Sequence, residues 1–161
     1  MSQWPAAVVQ GARRNNQISN SAPAGLHQNV KIVYAGRTTN ATQLALVSNG
    51  GVTSGDSLFG IPIGATAVVK ATGVAKQNGS AEYKSATYIA TVTNTGGVTT
   101  IAGSPTWVTL DVSGGAGSWA FSTVVDGTFT DSLVFKVTGV AATTIHWTVA
   151  IDVTIVAEAT S

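Results

Sequence analysis

TTIHWTVAIDVTIVA, residues 143–157, is the stretch whose reading decides the fold. Ile145, Trp147, Val149, Ile151, Val153 and Ile155 take every second position, and His146, Thr148, Ala150, Asp152 and Thr154 fill the gaps. A period of two sends alternate side chains to opposite sides of an extended chain, so one face is buried and the other mostly wet. A strand this long predicts a central place in a sandwich or barrel, with a core wide enough to need an apolar face along most of the run.

Outward from that strand the chain keeps one texture. Val30, Ile32 and Tyr34 alternate with Lys31 and Val33 until Gly36, which is expected to break this first strand. Residues 41–48 alternate weakly through Leu44 and Leu46 and run into Asn49-Gly50-Gly51, a turn signal. Pro62 makes the apolar stretch before Ile63 an edge or a connection. Residues 65–76 and 81–93 flank Gln77-Asn78-Gly79-Ser80, the strongest short-range hairpin signal in the chain. Further strands are expected at 98–101, 107–112, 118–125 and 132–139, with glycine-rich or Asp-Gly turns between them. VVKATGVA at 68–75 is echoed by VFKVTGVA at 134–141, which suggests a duplicated hairpin or a chance likeness, with Gly73 and Gly139 marking a bulge or bend.

No window has apolar residues at helical spacing with caps, and Val, Thr, Gly and Ala dominate. The expectation is an all-β protein: a single antiparallel β-sandwich, jelly-roll-like, over residues 29–161. Residues 1–28 show no periodicity and are rich in Asn, Gln, Ser, Ala, Gly and Pro, which fits a disordered tail in the isolated chain or, as the sharper expectation, an extended N-terminal arm that orders on a neighbouring subunit. Trp4, Val8 and Val9 are its apolar groups and Arg13-Arg14 its paired charges. These five are the candidate partner-binding residues, since an arm that orders on a neighbour needs an anchor to offset the entropy of fixing it.

Hydrophobic content of 44% is enough for a core without metal or disulfide, and the chain has no cysteine. Charged residues are only 9%, well under the usual quarter, which favours a surface that packs in an assembly. A net charge of +1 gives no footprint for nucleic acid, and no apolar run approaches the length of a membrane helix. Neither nucleic acid nor membrane is therefore an expected partner.

Catalytic and cofactor signals are weak. His146 and Asp152 share a strand face but stand about 20 Å apart at the usual rise, and no nucleophile elbow accompanies them. His146 reads as a surface or interface residue. Ser113-Gly114-Gly115-Ala116-Gly117 resembles a phosphate loop only in its glycines, because Trp119-Ala120-Phe121 opens a strand where a helix is needed. Asp126 and Asp131 bracket a turn without a calcium-loop pattern and read as turn formers. Trp107, Trp119 and Trp147 are core or interface anchors, with a sugar-stacking platform as the alternative. No catalytic residue, cofactor or metal site is expected.

Ser118-Trp119 before a strand, then Asp131-Ser132-Leu133-Val134-Phe135-Lys136-Val137-Thr138-Gly139, then Ile145-His146-Trp147 running to Val156-Ala157-Glu158, is similar to modules at the ends of tailed-bacteriophage virion proteins, particularly tail-fibre and capsid-decoration proteins. The resemblance covers roughly residues 68–158. It implies a β-sandwich homotrimer without an active site, located in the virion and assembled in the host cytoplasm. A short arm before one β domain, without a coiled-coil stalk, suits a capsid decoration or cement protein bound to the major capsid protein or other virion proteins. A tail or tail-fibre component and a carbohydrate-binding receptor module are the alternatives.

Overall fold

The computed structural model describes residues 26–48 and 58–157. Trp4, Val8, Val9, Arg13 and Arg14 lie outside the described residues, as do the Asn49-Gly50-Gly51 turn, Asp56 and Glu158. The described chain is antiparallel β throughout, apart from one 3-10 turn at Gly114–Ala116. Its strands are β1 (Leu26–Thr38), β2 (Gln43–Ala45), β3 (Phe59–Gly60), β4 (Ala65–Gln77), β5 (Tyr83–Thr95), β6 (Val98–Ile101), β7 (Val108–Val112), β8 (Ala120–Val125), β9 (Ser132–Thr138) and β10 (Ile145–Ala157).

β10 is the centre of the larger sheet. It pairs residue for residue with β1 on one side, Leu26 opposite Ala157 and Thr38 opposite Ile145, and with β4 on the other. Its burial alternates as the sequence pattern requires: Ile145, Trp147, Val149, Ile151, Val153, Ile155 and Ala157 are buried, and the residues between them are exposed or half-buried. Removing the six large side chains from water is worth on the order of 10 kcal/mol gross, most of which chain entropy offsets.

The larger sheet runs β1-β10-β4-β5-β6, with β7 also on β5. The smaller sheet centres on β9, which pairs with β8 along one edge and with β2 and β3 along the other. The sheets meet face to face through rings: Tyr34 of β1 lies 5.7 Å from Phe135 of β9, and Phe121 of β8 sits edge-on to Trp147 of β10 at 5.2 Å. Polar ties close the ends. The Trp147 indole N–H donates to the Thr38 hydroxyl at 2.9 Å, and the buried Asn94 amide donates to the Ile61 carbonyl at 2.6 Å while its oxygen accepts from the Gly97 N–H at 2.9 Å. The jelly-roll path is not established by this strand order, in which β4–β5 and β8–β9 are neighbours that follow each other directly.

Several local expectations change. β1 begins at Leu26, inside the expected arm, and passes through Gly36 instead of ending there. The missing side chain at Gly36 makes room for Leu46: a Cβ there would sit 2.6 Å from its terminal methyl, which would have to shift. Gly73 makes no bulge either, because β4 keeps register with both neighbours across it, and the missing Cβ leaves room for the Phe121 ring. The bulge in this sheet lies instead where β7 meets Ser85 and Ala86 of β5. The echoed segments do not form a duplicated hairpin. Residues 68–75 lie in β4, hairpinned to β5 in the larger sheet, whereas the second copy starts in β9 and its chain crosses to the other sheet to reach β10.

Candidate functional site

The glycine-rich loop, weighed above as a phosphate cradle, already holds an anion of the chain's own. Glu82, in the β4–β5 turn, receives the Ser113 hydroxyl and, at 2.8 Å, the Gly115 N–H. Those two bonds, the hydroxyl's first, hold the Glu82 carboxyl below its usual range. A Cβ on Gly115 would lie 2.9 Å from the Glu82 carboxyl carbon, so glycine lets the carboxylate reach the backbone. Beside it, the Lys84 ammonium donates to the Trp119 carbonyl, and Ser113 Oγ accepts from the Tyr83 N–H at 2.8 Å. The loop thus fastens the hairpin end to the start of β8.

Asp126 behaves as a turn former. Its Oδ1 accepts from the N–H groups of Phe129 and Thr128, each at 2.8 Å, and these bonds lower its pKa. Asp131 receives the Ser132 hydroxyl at 3.0 Å. Among the described residues no three His, Asp or Glu side chains gather as a metal site, and no helix is long and apolar enough to cross a membrane.

Trp119 and Trp147 are each 1% exposed and meet at 6.0 Å, so neither ring offers a face to a sugar. Trp107 is half-buried just before β7, stacked between Tyr88 at 5.5 Å and Phe121 at 4.9 Å, with its indole N–H on the Thr123 hydroxyl. Trp119 and Trp147 are core groups, and Trp107 packs half-buried against that core.

His146 lies, as expected, on the solvent face of β10. The registers place it between Arg37 of β1 and Lys76 of β4, in one row across three strands. Three repeats of the pleat farther on, Asp152 lies between Lys31 and Lys70. Asp152 pairs with Lys31 at 3.7 Å and accepts from the Asn29 amide at 2.7 Å. Around these rows the outer face of the larger sheet is Thr, Ala and Val, with Val33, Val74, Ile89 and Val156 all about half exposed. At its centre the single methyl of Ala150 leaves a dent of about 320 Å³ bordered by Lys31, Val33, Lys70, Thr72 and Asp152.

This face escaped the reading of the sequence. Lys31 and Arg37 share one parity in β1, and Lys70 and Lys76 share one in β4, which was the available signal. Only the register through β10 sets them in two rows on one face. The sequence matches no protein-family profile and no curated protein.

Proposed function

We propose that the chain is a non-enzymatic structural protein of a tailed-bacteriophage virion, a capsid decoration protein that acts as a homotrimer on the capsid lattice. One observation supports a role in surface association: the outer face of the larger sheet. It is broad, built from four paired strands, and leaves Val33, Val74, Ile89 and Val156 between 47% and 58% exposed. On this flat sheet face the four stand apart among Thr, Ala and cationic positions, a mixed apolar and polar surface suited to covering by a protein partner. The capsid location rests on the sequence resemblance, and in this reading the arm around Trp4 and Arg13-Arg14 adds a clamp on neighbouring subunits.

The test is quantitative mass spectrometry of density-banded particles from the source of the chain, followed by antibody labelling in the electron microscope. A decoration protein appears in tens to hundreds of copies per particle and labels the head. Labelling of the tail would move the protein to a tail or fibre role. Absence from banded particles would defeat the virion reading.

A further inference from the structure

We infer that the outer face of the larger sheet docks on an acidic, apolar-studded surface of a different protein, and not on a second copy of this chain. The inference deepens the virion reading by specifying what the lattice must present.

Size comes first. Four strands spaced about 4.8 Å apart and 13 residues long span an area on the order of 800 Å², which matches one side of a standard protein interface. Charge then narrows the partner. The outward positions of β1, β10 and β4 carry Lys31, Arg37, Lys70 and Lys76 against one carboxylate, Asp152. Face-to-face pairing of two copies would bring these cations onto each other, and like charges facing across an interface disfavour it. A head-to-tail contact would need an acidic face on the same chain. The other described carboxylates do not gather into one: Glu82 and Asp111 lie by Tyr83 at one end of β5, and Asp126 and Asp131 flank the β8–β9 turn, which is bonded to Gly97 and Thr99 at the other end.

Apolar exposure argues against a nucleic acid as the occupant. Val33, Val74 and Ile89 stand between the cations, where a phosphate backbone would leave them without a partner and a protein surface would cover them. The dent over Ala150, flanked by Lys31 and Lys70, has room for one apolar side chain of that partner, with carboxylates to either side.

Two arms test this. In the first, the isotopically labelled full chain is titrated with poly-L-glutamate, with duplex DNA and with anionic vesicles at low salt, and backbone amide shifts are followed. Poly-L-glutamate should move the amides of β1, β10 and β4, and Lys70→Glu should weaken that binding about tenfold, with the effect fading as salt rises. Tighter binding of DNA or vesicles to the same strands, or no response of these strands to poly-L-glutamate, would overturn the inference. So would a concentration-dependent dimer by light scattering that Lys70→Glu abolishes. In the second arm, particles stripped of the chain are offered wild type, Lys70→Glu, Ala150→Phe and, as a control on the smaller sheet, Lys136→Glu. Loss of rebinding by the first two variants alone supports the face, and equal rebinding by all refutes it. Failure of wild type to rebind counts against the virion reading, while the solution arm still decides the chemistry of the face.

Discussion

Gly73→Ala sets two effects of opposite sign against each other. Alanine in place of glycine restricts the unfolded chain and has the better strand propensity, which together favour the variant by roughly 0.5–1 kcal/mol. Against this, a Cβ built on Gly73 falls 2.5 Å from Phe121 Cε1 and 2.9 Å from Cδ1 and Cζ. The ring has nowhere to retreat: it is stacked on Trp107 at 4.9 Å and set edge-on against Trp147 at 5.2 Å. Overpacking of this kind costs typically 1–3 kcal/mol, so the net expectation is a loss of about 1–2 kcal/mol. Urea unfolding followed by far-ultraviolet circular dichroism measures it as a lower midpoint with an unchanged slope. Repeating the substitution in a Phe121→Leu background removes the clash, and there Gly73→Ala should be neutral or stabilising. If Gly73→Ala alone matched or exceeded wild type, the ring would not occupy that position, and the packing of the two sheets across β4 would need revision.

Other predictions follow from the same core and its turns. Trp147→Ala should cost about 3–5 kcal/mol by denaturant unfolding, because it empties a buried site and strands the Thr38 hydroxyl; a loss under 1 kcal/mol would place the ring in solvent. Tyr34→Phe should be neutral or stabilise by up to about 1 kcal/mol, since the phenol is buried with no hydrogen-bond partner among the described residues and burial pushes its pKa up; a clear loss would reveal a partner. Asp126 has its pKa lowered by backbone bonds, so its contribution is present above the ordinary carboxylate pKa of about 3.9 and is lost as pH falls through the depressed folded value. The gap in midpoint between wild type and Asp126→Ala should therefore be constant at neutral pH and close in acid; a gap that widens on acidification would reverse the sign. Deleting residues 1–25 should leave the unfolding midpoint nearly unchanged and sharply lower occupancy on stripped particles. Equal occupancy would end the clamping role of Trp4 and Arg13-Arg14.

The strands were legible in the sequence wherever burial on one face wrote a period of two, as in β10, β4 and β1. Asn78-Gly79 likewise fixed the β4–β5 hairpin, and Gly79 has the positive φ of 68° that such a turn needs. Glycine inside a strand was the weak point. Gly36 looked like a break and Gly73 like a bulge or bend, yet each is a contact made by a residue of another strand or loop, and local sequence holds no sign of Leu46 or Phe121 arriving there. The bond from Glu82 to the glycine-rich loop was hidden for the same reason, Glu82 being some thirty residues from Ser113 and Gly115. The outer face needed two registers at once, Lys31 through Asp152 to Lys70 and Arg37 through His146 to Lys76.

The most direct test of the structural role is a cryo-electron-microscopy map of particles carrying the chain. The account predicts the sandwich on the capsid exterior in trimers, with the outer face of β1, β10 and β4 against an acidic patch of the lattice and the Ala150 dent filled by a side chain of the capsid. A map with the protein on the head and that face open to solvent would contradict the docking surface, and a map with no density for the protein anywhere on the particle would contradict the proposed function.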